Sequence, residues 1–320
     1  MSQGNTSKLQ REVAYGKAFL AALNARLAAP TVDWPTTRCW TKSSLQQIFR
    51  QVRDELAAAE LRSQQSNRSL IAWMSELGIL HELKAQDLTI YILEFGGSAG
   101  RALESPELLM AACPQGVICY FSAVAFHSLT TQPVAHHHVA VLQKSTRASA
   151  PSSVDKAKSV PESRSRTLQL GKLLFRFAET PYYLAERAAR LVPGVQQRAM
   201  GPRTNIRITT LEQTLLDTLY KPFHCGGPET VFEAWHEAFQ LGGINEERLA
   251  DYIERMNYPA TARRTAVMFK LMQHAPGIAL RRTLQVVREK IARNSEFAEI
   301  SLLPGLDYSK TDEEWLVKIP

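Results

Sequence analysis

Asn67-Arg-Ser-Leu-Ile-Ala-Trp-Met-Ser-Glu-Leu-Gly-Ile-Leu80 opens on polar and basic residues, turns apolar at helical spacing and then meets a glycine. Ser66 or Asn67 can cap a short helix there, because their side chains satisfy the free amides of its first turn. Its apolar face is Leu70, Ile71, Met74 and Leu77, and Gly78 suits the left-handed position that closes a helix. Two runs of strand character follow, Ile79 to Leu83 and Leu88 to Leu93, joined by the polar turn Lys84–Asp87. A helix with a polar, basic start that feeds directly into a hairpin is the pattern of a winged helix. In that fold the helix enters the major groove and the wing lies on the backbone.

Upstream, residues 8–29 read as a helix, with Val13, Phe19, Leu20, Leu23 and Leu27 at recurring spacings and Pro30 ending the run. Ser43 or Ser44, followed three residues on by Gln46 or Gln47, forms a capping box. It opens a second helix with Leu45, Ile48, Phe49, Val52 and Leu56 on one face. On this frame Asn67, Arg68 and Ser69 suit base edges or phosphates, and Lys42, Arg50 and Arg53 suit phosphates. Lys84, in the turn of the wing, joins the same DNA-binding set. Duplex DNA is the expected partner. A helix–hairpin can also serve as a protein-interaction module without any nucleic-acid ligand.

The run Leu93-Glu-Phe-Gly-Gly-Ser-Ala-Gly100 reads as a connector, so a domain boundary is placed between residues 95 and 96. Beyond it Pro106 marks a helix start, Val117–Leu129 is apolar with helical spacing, and Val134–Leu142 reads as a strand. Lys144–Arg166 is a polar stretch without periodicity, expected as a long exposed loop. Leu173–Phe177 and Asn205–Ile208 look like strands, with irregular or helical material around Tyr182–Arg190. From Thr209 onward the chain reads as mostly helical, with a capping box at Thr209 or Thr210. Helices are expected over 229–239, 246–256 after Asn245, and 260–274 after Pro259. The tail Ser301–Pro320 reads as irregular, with Trp315 as an anchor. The expected fold class is α+β: an N-terminal winged helix-turn-helix domain, residues 1–95, then a larger mixed α/β and mostly helical domain, 96–320.

At 320 residues, 45% hydrophobic and 22% charged, the composition is that of ordinary globular domains. No run of about 18 apolar residues is present, so no spanning helix and no membrane partner is expected. The polar start Met1–Arg11 lacks an apolar core of the secretory type. Four cysteines without a CxxC pair argue against a disulfide scaffold or structural zinc. Together these point to the cytoplasm. The net charge of +7 is unevenly spread, with most of the excess in residues 96–200. A basic balance is compatible with nucleic acid and equally with many enzymes.

Motifs that would carry catalysis are scarce. No nucleophile elbow, Walker loop, GxGxxG after a strand or HExxH occurs. In a strand, His136 and His138 would share one face and His137 the other. Two same-face histidines can chelate, but a catalytic metal needs a third ligand, from His127 or a carboxylate. The plainer reading is a partly exposed strand. Cys225 beside His224 reads as a turn with a small buried residue, since a catalytic partner must face the sulfur in space. Asp217, mid-helix among leucines, could be a lone catalytic acid; more often such a residue caps or salt-bridges a neighbouring element, here through Arg207 or Arg263. No cofactor and no enzymatic activity is expected.

Two stretches carry a resemblance. Gly116-Val-Ile-Cys-Tyr-Phe-Ser-Ala-Val-Ala-Phe-His-Ser-Leu-Thr-Thr-Gln132 is similar to the segment of the AbiEi antitoxin family in which an apolar helix ends in a His-(small)-Leu-Thr turn. Ile208-Thr-Thr-Leu-Glu-Gln-Thr-Leu-Leu-Asp-Thr-Leu219, then Pro222 and Gly226-Gly227, resembles that family's threonine-capped helix with a Leu-Asp pair and a following glycine pair. Leu249–Ile253 with Arg263-Arg264 resembles its helical end. The amino-terminal region is longer than the family's compact winged helix, and the loop 144–166 is enlarged.

The resemblance implies a cytoplasmic, non-enzymatic type IV antitoxin. Its winged helix would repress its own operon at inverted repeats, and its carboxy-terminal domain would counter a nucleotidyltransferase-like toxin without requiring a stable complex. The competing reading keeps the winged helix and makes the carboxy-terminal domain a ligand- or metal-dependent sensor or enzyme, with His127, His136 and His138 on a metal.

Overall fold

The computed structural model describes residues 3–31, 33–85, 88–94, 103–144, 170–200, 204–293 and 297–320. The chain divides into two compact units. One comprises Met1–Gln115, Leu174–Ala178 and Gln197–Ile206; the other comprises Gly116–Leu173, Glu179–Gln196 and Arg207–Pro320. The Gly96–Gly100 connector, the turn residues Gln86 and Asp87, and all of the polar stretch 144–166 except Lys144 lie outside the described residues.

The first unit begins with α1 (Gln3–Arg26), followed by β1 (Cys39–Thr41), α2 (Lys42–Ala58), α3 (Asn67–Glu76), β2 (Leu80–Ala85), β3 (Leu88–Leu93) and α4 (Ser105–Ala112). Tyr15, Phe19, Leu23 and Leu27 recur every fourth residue and are buried, whereas Val13, two residues off that stripe and about 200° away from it, is exposed. The α2 cap is Thr41, earlier than the expected Ser43 or Ser44; its Oγ1 accepts from the Ser44 amide at 3.2 Å. β1 is too short to leave a periodic signal. It pairs antiparallel with β3, which also pairs with β2, giving the order β1-β3-β2. Leu45, Ile48, Phe49, Val52, Leu70 and Met74 close a core against Phe19, Trp40 and Leu93. Gly78 takes φ +68 directly after α3, as the sequence predicts. Leu77 lies past the helix and is exposed, so it leaves the apolar face expected of it.

Glu107 is a buried carboxylate in the same unit. It accepts from the Glu104 amide at 3.1 Å, from Arg38 Nη1 at 3.4 Å and from Thr204 Oγ1 at 3.4 Å. The Glu104–Glu107 contact closes a capping box at the start of α4, with Pro106 in its first turn.

Downstream lie β4 (Val117–Ile118), α5 (Phe121–Phe126), β5 (His137–Gln143), β6 (Lys172–Phe177), β7 (Thr180–Ala188), β8 (Val195–Ala199) and β9 (Asn205–Thr209). Then follow α6 (Leu211–Tyr220), α7 (Pro228–Gln240), α8 (Glu246–Met256), α9 (Pro259–Leu271), α10 (Ile278–Arg293), β10 (Ile300–Ser301), β11 (Lys310–Asp312) and β12 (Val317–Ile319). In the second unit β7 runs parallel to β5, β5 antiparallel to β4, and β4 parallel to β9 at Ile118↔Ile208. Thr210 caps α6 through the Gln213 amide and Asn245 caps α8 through the Arg248 amide, both as the sequence predicts.

Three sequence expectations are corrected. Val117–Leu129 is a short strand and a short helix, split where Tyr120 takes φ 55 and ψ −135. The stretch expected to be irregular or helical is largely β7; in parallel pairing against β5 both of its faces are partly covered, which blurs the alternation that marks a strand. The tail forms a small sheet, β10-β12-β11, with Trp315 buried beside it, because apolar residues there are too few to show a period. Among the described residues no helix is long and apolar enough to cross a membrane.

Candidate nucleic-acid interface

The α3 helix is held from three sides within its own unit. Ser66 accepts from the Ser69 amide at 3.1 Å and so fixes the first turn. Leu70 and Met74 are fully buried on the inward face. Trp73 seats its indole over Gly16 of α1, where an added Cβ would meet the ring at 3.0 Å. What remains outward is Arg68, Ser69, Ala72, Ser75 and Glu76, on the side of the helix away from that core. Such an arc, with a guanidinium and hydroxyls, is equipped for groove contacts.

The predicted contact residues do not all share that arc. Lys42 and Arg50 are exposed on α2 and, with Arg68, have no ion-pair partner among the described residues. Lys84, on β2, is exposed and lies 3.5 Å from Glu82 on the same strand. Arg53 is turned elsewhere. Its Nη1 donates to Asn67 Oδ1 at 3.0 Å and its Nη2 to the Ser63 carbonyl at 3.3 Å. Asn67 therefore spends its side-chain oxygen on that guanidinium rather than facing outward.

In the second unit the sequence-flagged histidines form a buried aromatic cluster. His136 and His138 do share a face, with ring centroids 4.9 Å apart, and both are buried, against the partly exposed strand expected. His138 stacks on His224 at 5.5 Å, and Tyr120 stands against both. His137 faces the other way, 4.8 Å from Tyr182. Backbone carbonyls bind the Nε2 atoms of His136, His138 and His127 at His224, Leu170 and Thr209 respectively. An Nε2 that donates to a carbonyl has no lone pair for a metal. The structure does not bring the three together as a ligand set, and no group of three or more metal-ligating side chains occurs among the described residues. Burial holds His138 down to about 3, helped by His136, and His224 down to about 4, helped by Lys221. Cys225 is fully buried in a tight turn, as read from the sequence.

Beneath the cluster Asp217 meets Arg187, with both nitrogen–oxygen distances 2.6 Å, and Gln213 Nε2 adds a bond at 2.9 Å. Arg187 lies 4.7 Å over the Tyr120 ring. No protein-family model and no curated protein matches this chain.

The pairing of Asp217 corrects the expectation of Arg207 or Arg263. Arg263 donates instead to the Trp315, Ala298 and Leu316 carbonyls, tying down the carboxy-terminal tail. Sequence reasoning gives Arg187 and Tyr120 no role, and it reads His224 only as part of the turn beside Cys225. Both faces of β7 are partly covered, so no alternation in 180–188 singles out Arg187 as a buried charge.

Proposed function

We propose that this chain is a DNA-binding autorepressor and antitoxin of the AbiEi type, with a winged helix in its first unit. The observation that carries this reading is the order α1-β1-α2-α3-β2-β3, in which α3 is anchored on its inner face and free on its polar one. In a winged helix these are the requirements for a helix that enters the major groove, and the β2–β3 hairpin stands in the place of the wing. Arg68 and Ser69 face the bases, and Lys42, Arg50 and Lys84 face the phosphates of inverted repeats in its own promoter. The second unit, through the elements that carry the family-like segments 116–132 and 208–219, counters a nucleotidyltransferase-like toxin without catalysis of its own. The protein works in the cytoplasm, where both partners are.

Fluorescence anisotropy of the full chain against a duplex from the region immediately upstream of its gene tests the first half. Binding tighter than to a scrambled duplex by about a thousandfold, and falling steeply with salt, is expected. Equal affinity for both duplexes would refute an operator-specific repressor. Co-expression with a nucleotidyltransferase encoded beside it tests the second half, with restored growth as the expected result.

A further inference from the structure

We infer that Arg53 is a positioning residue of the DNA-reading face, which sets the angle of α3, and does not itself contact phosphate. The inference rests on the DNA-binding reading above and adds how that site is built. Arg53 lies in the body of α2, and its two Nη atoms take two acceptors on the far side of the bend between the helices. Asn67 Oδ1 belongs to the first residue of α3, and the Ser63 carbonyl to the connection that leads into it. A guanidinium is a planar fork whose N–H directions are fixed, so two acceptors held by it are fixed relative to each other. A lysine ammonium could reach one of them and would impose no angle between them.

The connection has few other ties. Leu61 returns its amide to the Leu56 carbonyl and Gln65 its amide to Ser63 Oγ, after Glu60, two residues past the end of α2, takes φ 61. The core contacts of α3, through Leu70 and Met74, lie beyond its first turn. Arg53 therefore ties to α2 the first turn that the Ser66 cap shapes from within, where Arg68 and Ser69 are presented. The clamp commits one N–H of each Nη on a half-buried side chain, so a phosphate could take only the donors that the bend leaves over.

The test uses the full chain, the upstream duplex and a scrambled duplex of equal length, with Arg53→Ala, Arg53→Lys, Asn67→Ala and the double alanine variant. Positioning predicts that Arg53→Ala and Asn67→Ala each weaken binding to the upstream duplex by about tenfold. It also predicts that the double variant is no worse than Arg53→Ala, because Arg53→Ala already removes the bond to Asn67 along with that to Ser63. Arg53→Lys should not rescue, and the slope of log affinity against log salt on the scrambled duplex should stay unchanged.

A phosphate contact predicts the reverse: that slope falls by about 0.9 on Arg53→Ala, Asn67→Ala is silent, and Arg53→Lys rescues. That pattern would overturn the inference. Amide hydrogen exchange of the free protein supplies a readout that needs no DNA. Faster exchange confined to residues 63–70 in both single variants is expected, and unchanged exchange there would overturn the inference. Failure of the wild-type chain to bind any duplex at low salt would refute the DNA-binding reading instead, and the exchange result would still decide whether Arg53 holds α3.

Discussion

Asp217 accepts two hydrogen bonds from Arg187, both at 2.6 Å, with the carboxylate wholly buried and the guanidinium almost so. A pair of this kind is costly to break from one side, because the survivor keeps its charge without a partner. Asp217→Ala should destabilise the protein by about 3–5 kcal/mol in urea unfolding. Replacing both residues by apolar ones of similar size should recover most of that loss. A loss below about 1 kcal/mol for the single variant would show that Arg187 finds other acceptors.

The buried His138 and the half-buried His224 give the second unit an acid limit. His138 and His224 are held far below the ordinary imidazole value in the folded state, by burial first and neighbouring positive charge second. The unfolded chain therefore binds protons more readily. Stability is complete above the unfolded value of about 6.5 and falls as the pH drops below it. The urea midpoint should decline between about pH 6.5 and 5, before most carboxylates titrate, and His138→Gln should flatten that decline. A midpoint constant over this range would contradict the assignment.

Arg68 lies on the outward arc of α3, where the proposed function places a base contact. Arg68→Ala should remove about 1–3 kcal/mol of discrimination between the upstream and scrambled duplexes. Equal loss on both would reassign Arg68 to the phosphates, and no loss on either would move the recognition surface off this arc.

Glu107 gathers the Arg38 guanidinium, the Thr204 hydroxyl and the Glu104 amide in the first unit. Glu107→Ala should cost about 1–3 kcal/mol. That is less than the Asp217 variant, because Glu94 also lies 3.8 Å from Arg38. Hydrogen exchange should quicken around β1 and α4. For the same reason a fragment ending at residue 95, which omits α4, should unfold at lower urea than one ending at 115.

What the sequence made legible was what is local and repetitive. The caps at Ser66, Thr210 and Asn245, the left-handed Gly78 and the β2–β3 hairpin each rest on chemistry between near neighbours. The stripe of α2 is equally local, since a helix repeats its face every few residues. Hidden from that approach were elements defined by distant partners. β1 has three residues and exists through its pairing with β3. β7 is partly covered on both faces, and the partner of Asp217 lies 30 positions away on that misread strand. In the sequence Arg53 is one surface cation among several; its acceptors, Asn67 and Ser63, lie 14 and 10 positions on. A cation's exposure depends on the bend that places its neighbours, and no periodicity encodes that bend.

The contact between Trp73 and Gly16 makes position 16 a tuning point for how α3 seats on α1. Because a Cβ there would meet the indole at 3.0 Å, the Trp73 ring must give by a few tenths of an ångström to admit even alanine. Alanine and then larger residues at 16 form a graded series of wedges. Each larger wedge presses harder on that seat while every residue on the outward arc keeps its identity. On the DNA-binding reading proposed above, operator preference would thus respond to a position inside the protein's own packing.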